Sequence, residues 1–461
     1  MPQSMQLSPR RGRYLELFLI PLAAVLLSGC AWQGDPVIHE MLAEVSEQNI
    51  RSHVRRLAEF GTRHTLSETD SDTRGIGAAR RWIHQQFESY RTESGDRLRV
   101  ESQSFIQPAD GRRITRDVEI INVIATLPGE DPAKDPRVFV VSGHYDSICS
   151  DPTDHLCDAP GANDDASGVA AVLEMARVMS KRRFRATLVF AAVAGEEQGL
   201  FGSRYMAARY RDEGVQIAGM FTNDIIGNTL GQNGIRNRSQ VRVFSEGVPV
   251  TESSQDARQI RLATGNENDS PARQLARYVD EVCKQYLPGF EVLLVWRRDR
   301  FLRGGDHTAF SEQGYPAIRF TEVNEDYRRQ HQNVRLEDGI QYGDLPDFVD
   351  DGYITQVTKV NLASLASLAL APPPPQKLRV LTTKLEHTTT LQWEIPNDDE
   401  LSGYEIVWRE TTAPRWQHSQ YVGIQTGCVH PLSKDNYIFG VRAVGKNGHK
   451  SVVAYPLPAR E

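Results

Sequence analysis

Residues 142–147 read Ser-Gly-His-Tyr-Asp-Ser and stand at the end of the apolar run 137–142. Two further blocks have the same character, Gly-Ala-Asn-Asp-Asp-Ala-Ser-Gly at 161–168 and Gly-Glu-Glu-Gln-Gly-Leu-Phe-Gly-Ser at 195–203. In each block, a side chain could leave the sheet and meet the others at one point. Imidazole nitrogens and carboxylate oxygens are the atoms that bind zinc. The blocks therefore predict a metal site, and a metal-dependent hydrolase is the first hypothesis.

The pattern around these blocks predicts the fold class. Strand-like runs at 118–127, 137–142, 187–194, 218–226 and 317–321 alternate with helical patterns such as 166–181. This alternation is typical of an α/β fold with a mostly parallel central sheet and helices on both faces. Residues 229–270 are polar and weakly periodic, and we expect an excursion beside the site rather than core structure.

Four consecutive prolines at 372–375 indicate a domain boundary in this 461-residue chain, because they continue neither a helix nor a central strand. We predict a domain at 30–370, a linker at 371–376 and a second domain at 377–461. The second domain alternates with period two and resembles a fibronectin type III sandwich, with Trp393 and Tyr437 at core aromatic positions.

The N-terminal residues predict an export signal. Arginines precede the apolar run 15–27, whose thirteen residues are too few to cross a bilayer, which needs about 20. Residues 27–30, Leu-Ser-Gly-Cys, resemble a bacterial lipobox. The resemblance implies a signal peptide at 1–29, a lipid on Cys30, and anchoring in the bacterial cell envelope facing the periplasm or the exterior. An ordinary signal peptide with a chance cysteine is the alternative.

Charge and cysteine content narrow the choice of partners. The net charge is −7 and no basic block is long enough to follow a phosphate backbone, so nucleic acid is not an expected partner. A small or peptidic substrate fits better. Cys149 and Cys157 share one polar loop and could form a disulfide in an oxidising compartment, whereas Cys283 lies on an apolar helical stripe as a buried thiol. His64, after a helix end, is interpreted as a solvated loop histidine.

Together with Phe-Thr-Asn-Asp-Ile-Ile-Gly at 221–227 and Asp-His-Thr-Ala-Phe at 306–310, the three blocks closely resemble the di-zinc aminopeptidase family. That family also contains glutamate carboxypeptidases and glutaminyl cyclases. The resemblance covers roughly residues 40–370. It implies two zinc ions per chain, with His144 and Asp224 on one, Glu197 and His331 on the other, and Asp164 bridging both.

The same resemblance implies roles for residues that do not bind metal. Glu196 would be the general base, and Asp146 would accept a hydrogen bond from the metal-binding imidazole of His144 and fix its tautomer. The Asp164–Asp165 peptide bond would be cis. Adjacent Glu196 and Glu197 suit two different roles only if a turn, opened by Gly195, sends their side chains in different directions.

Two departures from the family pattern stand in this sequence. His331 is followed by Gln-Asn-Val rather than Thr-x-x-Asp, which makes it the least secure of the ligands, and Gly305 stands where serine is usual. The leading expectation is an exported aminopeptidase that acts on peptides. A carboxypeptidase-like member, a glutaminyl-cyclase-like member and an inactive binding protein on the same fold are the alternatives. The oligomeric state is not indicated.

Overall fold

The computed structural model describes residues 34–460. The predicted signal peptide at 1–29 and the lipid-bearing Cys30 lie outside the described residues, so both stay predictions. Within residues 34–460, no helix combines the length and the apolar character that a membrane crossing requires.

An eight-stranded sheet forms the centre of the molecule. Its strands are β1 Arg99–Gln107, β2 Val118–Leu127, β3 Arg137–His144, β4 Thr187–Val193, β5 Gln216–Asn223, β6 Gln240–Ser245, β7 Glu291–Val295 and β8 Ala317–Thr321. Their order is β1-β2-β4-β3-β5-β8-β6-β7. The pairs β4–β3, β3–β5, β5–β8 and β6–β7 are parallel, and β1–β2, β2–β4 and β8–β6 are antiparallel. The predicted mostly parallel sheet is confirmed.

Helices cover both faces of this sheet, also as predicted. They are α1 Pro36–Glu44, α2 Glu47–Glu59, α3 Gly75–Glu93, α4 Ala166–Met179, α5 Glu196–Gly199, α6 Phe201–Asp212, α7 Gln255–Thr264, α8 Pro271–Tyr286, α9 Asp306–Ser311 and α10 Asp351–Leu370. Alternate residues of β3 serve two separate cores: Val141 packs with α4 and α10, whereas Val140 packs with α6 and α9. This division follows from the period of two along a strand.

The expectation for residues 229–270 is wrong. β6 is a strand of the central sheet between β8 and β7, and its Val241 and Val243 are fully buried. Helix α7 follows it. The strand has only six residues and polar flanks, so its short alternation is lost in the surrounding polar sequence.

The C-terminal part of the chain contains two further sheets, which we call the C-terminal sandwich. Its strands are β11 Gln376–Leu381, β12 Thr389–Glu394, β13 Leu401–Glu410, β14 His418–Gly423, β15 Gly427–His430, β16 Tyr437–Gly445 and β17 Leu457–Ala459, after a small hairpin of β9 Arg335–Glu337 and β10 Ile340–Tyr342. The sheets have the orders β15-β12-β11-β17 and β14-β13-β16, and they share one apolar core. Trp393 is buried there and Tyr437 is half-buried. The fibronectin type III likeness and the exact domain bounds stay predictions.

Ion pairs join the C-terminal sandwich to helix α8 and the turn before it, and the pair formed by Asp269 and Arg409 is fully buried. Asp269 has no exposed side-chain surface and lies 2.8 Å from Nη2 of Arg409 and 3.2 Å from Nη1 of Arg277. Nε of Arg415 lies 2.7 Å from Oδ2 of Asp280 in the same helix. The chain from Gly34 onward accordingly forms one compact unit.

Replacing Arg409 with methionine should lower the free energy of unfolding by about 3–5 kcal/mol, because it leaves the Asp269 carboxylate buried without its partner from the C-terminal sandwich. Denaturant unfolding followed by circular dichroism measures this change. Glu394→Gln is the matched control, since it breaks the exposed Lys377–Glu394 pair, and it should cost less than about 1 kcal/mol. Equal, small effects of both substitutions would contradict a structural role for the junction.

Candidate metal centre

Three neighbouring parallel strands bring the predicted site residues to one edge of the large sheet. His144 ends β3, Glu196 and Glu197 follow β4, and Asp224 follows β5. Because β4, β3 and β5 are adjacent and parallel, their carboxyl ends lie together at the edge where α/β sheets bind ligands. Asp164 joins them from the loop that precedes α4.

Asp164 lies between two imidazole rings. Its Oδ1 is 3.1 Å from Nε2 of His144, and its Oδ2 is 3.0 Å from Nε2 of His331. Nε2 of His331 is also 3.0 Å from Oε1 of Glu197. A carboxylate that offers one oxygen to each of two ligand groups has the arrangement that a bridging ligand requires.

Two overlapping groups of side chains can gather ligand atoms. Atoms of His144, Asp164 and Glu197 lie within 4.8 Å of one another, and the same holds for His144, Glu196 and Asp224. Nε2 of His331 lies 3.0 Å from both Asp164 and Glu197, so all five residues assigned to metal by the resemblance are close together, and Glu196 belongs to the second group.

The main-chain oxygen of Asp146 orients the imidazole of His144. Nδ1 of His144 is 3.1 Å from this oxygen and 3.6 Å from the carboxylate Oδ1 of Asp146. A neutral imidazole that donates from Nδ1 keeps Nε2 free as a ligand atom. The carboxylate oxygens of Asp146 accept the backbone N–H groups of Glu196 and Glu197, at 3.3 and 3.1 Å.

The turn that separates the two glutamates is formed by Gly195. This residue has φ 74°, a left-handed conformation that favours glycine, and α5 begins directly after it. Successive residues of a helix point about 100° apart, so Glu196 and Glu197 leave the backbone in different directions. The expected divergence of the two side chains is confirmed.

Backbone hydrogen bonds fix the loop that carries Asp164. The carboxylate of Asp344 accepts the N–H groups of Asn163 and Asp164, at 2.9 and 2.7 Å. Asp165 caps α4 by accepting the N–H of Gly168 at 2.9 Å, and its other oxygen accepts the N–H of His144 at 3.0 Å. The Asp164–Asp165 peptide bond is cis, as the resemblance implied.

The cluster carries an excess of negative charge. Burial raises the pKa of Glu196 well above its usual range, and the carboxylates of Asp224 and Glu197 raise it further, against the opposing effect of His144. Burial by itself would lower the pKa of His144, but the carboxylates around it, Glu196 foremost, raise that pKa well above its usual value. A bound cation would neutralise this charge.

The donor atoms fit zinc. Oε1 of Glu197 is buried and accepts no aligned hydrogen bond from the described residues, although Nε2 of His331 lies 3.0 Å away. Imidazole nitrogens and carboxylate oxygens form typical zinc sites of hydrolases. His144, Asp164, Glu197, Asp224 and His331 are the side chains that would hold the metal.

Hydrogen bonds to a remote loop, which the sequence did not indicate, hold the loop around His331 in place. Asn333 and Ser150 exchange two hydrogen bonds: the N–H of Ser150 donates to Oδ1 of Asn333, and the N–H of Asn333 donates to Oγ of Ser150, both at 3.0 Å. Ser150 follows Cys149, which forms the predicted disulfide with Cys157. Asn333, part of the departure from Thr-x-x-Asp, therefore anchors the His331 loop to the disulfide loop.

The interpretation of His64 as a solvated histidine is wrong. His64 has no exposed surface, and its Nε2 lies 3.0 Å from the main-chain oxygen of Pro152. The adjacent Arg63 is also fully buried and donates to the main-chain oxygens of Tyr145 and Gly161, at 2.6 and 2.9 Å. A polar run that directly follows a helix end gave no signal of burial, because the contacts come from loops about 80–100 positions away.

The model of peptidase family M28 matches residues 122–345. A probable zinc metalloprotease of Leptosphaeria maculans is 48% identical over 421 residues, which cover 91% of this chain and 97% of that protein. The chain belongs to peptidase family M28.

Two solved structures share the fold of this M28 member. LapB from Legionella pneumophila matches with a TM-score of 0.52 and 18% identity, over 73% of this chain and 75% of LapB. An aminopeptidase from Aneurinibacillus sp. strain AM-1 matches with a TM-score of 0.50 and 18% identity, over 73% of this chain and 97% of that enzyme. At these identities, the likeness shows the fold alone.

Removing divalent metal should lower the melting temperature, because the buried carboxylates lose the cation that neutralises them. A metal present at a thousand times its Kd stabilises the folded chain by about 4 kcal/mol per site. Differential scanning calorimetry with and without a chelator measures the change, with zinc-saturated chelator as the control. We expect added zinc to restore the melting temperature; an identical melting temperature with and without the chelator would argue against a metal-stabilised centre.

Proposed function

We propose that this M28 member is a zinc-dependent exopeptidase, specifically an aminopeptidase that removes N-terminal residues from peptides. In this proposal two zinc ions bind per chain, one to His144 and Asp224 and the other to Glu197 and His331, with Asp164 shared. The position of Asp164 between the two imidazoles is the observation that carries the proposal. The name of the Leptosphaeria maculans relative, a probable zinc metalloprotease, supports the choice of metal.

Glu196 is the proposed general base. Zinc, when bound, lowers the pKa of a water molecule and polarises the scissile carbonyl. Glu196 accepts the proton of the attacking water and passes it to the leaving amine. Its side chain is partly exposed, whereas Glu197 is only 4% exposed, so Glu196 is the glutamate that a substrate can reach.

The acidic surroundings of the centre favour a substrate end with a positive charge. Asp306 adds a further buried carboxyl group near His144. Complementary charge favours an α-ammonium group over an α-carboxylate at such a site. This supports the aminopeptidase over a carboxypeptidase-like activity.

Export and lipid anchoring through Cys30 belong to the same proposal. The Cys149–Cys157 disulfide supports export, because disulfides persist mainly in oxidising compartments. A fibronectin type III identity for the C-terminal sandwich is likewise proposed, and its two sheets with a common core support it.

A panel of aminoacyl chromogenic amides and N-acetylated peptides tests the activity. We expect hydrolysis of the free amides, loss of turnover after N-acetylation, and loss of turnover with a chelator. Cleavage of the N-acetylated peptides from the carboxyl end would instead identify a carboxypeptidase. Cyclisation of N-terminal glutamine without hydrolysis would identify a glutaminyl cyclase, and binding without turnover would identify an inactive binding protein.

Glu196→Gln should lower kcat by about 100-fold or more while zinc content stays near wild type, because the amide keeps the volume but accepts no proton. Glu197→Gln should instead lose zinc from one site, since a neutral amide is a poorer ligand than a carboxylate. Steady-state kinetics and metal analysis by mass spectrometry measure both effects.

The two glutamine variants are controls for one another, because they change adjacent side chains in the same way. Zinc loss in Glu196→Gln with retention in Glu197→Gln would reverse the two assigned roles. Full activity of Glu196→Gln would exclude Glu196 as the base.

A further inference from the structure

Arg319 is a fully buried arginine beside the metal centre that no step of the proposed reaction uses. It lies in β8 with no exposed surface. Its Nη2 is 2.8 Å from Oδ1 of Asp224, and its Nη1 is 3.0 Å from Oδ2 of Asp299. Nη1 also donates to the main-chain oxygen of Gly304 at 2.7 Å.

Two buried carboxylates, Asp224 and Asp299, face this arginine. Burial alone would raise the pKa of Asp299, but the guanidinium of Arg319, followed by His307 and Arg300, holds it below the usual range. Arg319 is thus a buried cation shared between Asp224 and Asp299, and Arg300 also pairs with Asp299. Buried ionic groups of this kind are costly to form and become stable only when hydrogen bonds satisfy their remaining polar atoms. A buried arginine next to Asp224 is therefore expected to have a role that offsets this cost.

Gly305 provides the space for this arrangement. A Cβ atom added there would lie 2.9 Å from Nη1 of Arg319 and 3.1 Å from Oδ2 of Asp224. The φ of Gly305 is −174°, extended backbone that any residue adopts, so the need for glycine is one of space and not of conformation. This accounts for glycine where the family resemblance leads one to expect serine.

We propose that Arg319 is a positioning residue that holds Asp224 in place for metal binding. The guanidinium binds Oδ1 of Asp224 and leaves Oδ2 available as a ligand atom, and Gly305 makes the close approach possible. This inference rests on the proposed function, because it takes Asp224 as a zinc ligand.

Positioning of Asp224 requires the planar set of N–H donors that a guanidinium group presents. Arginine presents several N–H donors in one plane, so a single side chain can span Asp224 and Asp299 at the same time. Lysine retains the charge but has one nitrogen, and it cannot hold both carboxylates in the same geometry. The charge and the positioning can therefore be separated by substitution.

Titration of the metal-free protein with zinc, in competition with a chelator of known affinity, tests the inference. We expect two sites in the wild type. In Arg319→Lys and in Gly305→Ala, one site should weaken by about 10- to 100-fold while the other keeps its Kd, the usual range for loss of a group that orients a ligand. Gly305→Ala keeps every charge, so it tests the geometry even if Arg319→Lys fails to fold.

Two matched variants serve as controls. At Gly304 an added Cβ would meet only Oγ1 of Thr308 at 3.5 Å, so Gly304→Ala should leave both Kd values unchanged. Arg137→Lys alters another buried arginine, which pairs with Asp135 at the far end of β3 from His144, and should also keep both sites.

The outcomes separate this inference from the proposed function. Two wild-type sites with unchanged Kd values in both Arg319→Lys and Gly305→Ala would overturn the positioning role and leave the two-zinc proposal standing. A single site in the wild type would overturn the two-zinc proposal, and the inference with it. Weakening of both sites in the Gly304→Ala and Arg137→Lys controls would identify a general loss of structure and would also overturn the inference.

Discussion

Several buried carboxylates stand within a few ångströms of one another at the carboxyl edge of the sheet, and the structure depends on neutralising them. Asp164, Glu197 and Asp224 share ligand-atom groups with the His144 imidazole. Like charges at this separation repel strongly in a low dielectric, and a buried carboxylate without a partner becomes protonated. A divalent metal is the cation that fits the donor atoms. The same ion would neutralise the buried carboxylates of the fold and serve the proposed hydrolysis.

Strand pairing and hydrogen bonds to the main chain keep these acidic residues close together. Parallel pairing of β4, β3 and β5 sets the spacing of three of the loops. Two other carboxylates accept hydrogen bonds from the main chain. Asp146 accepts one from the turn of the two glutamates, and Asp344 accepts one from the loop of Asp164. Carboxylates that accept backbone N–H groups orient the metal ligands and do not bind the metal themselves. Loss of such a partner lowers the affinity for the metal.

Residues that lie next to a strand end were predictable from the sequence, and residues whose partners are remote were not. The positions of His144, Glu197 and Asp224 follow from apolar runs with a period that the local sequence displays. Arg319 looks like an ordinary polar residue in a strand, because its partner Asp224 lies 95 positions earlier in the chain. Burial of His64 was missed for the same reason, whereas the strand within 229–270 was missed because its six residues have polar flanks.

The C-terminal sandwich is connected to the metal centre more closely than its proline boundary suggests. Arg409 bonds Asp269, whose other partner, Arg277, has its guanidinium carbon 5.0 Å from the ring centroid of Trp296. Three residues after Trp296, Asp299 bonds the guanidinium of Arg319. A module attached only through 371–376 would make no such contacts. The C-terminal sandwich therefore packs against helix α8 and the turn before it, and Arg277 of that helix contacts Trp296 of the segment that supports Asp224. Free movement of the C-terminal sandwich would have to break a buried ion pair.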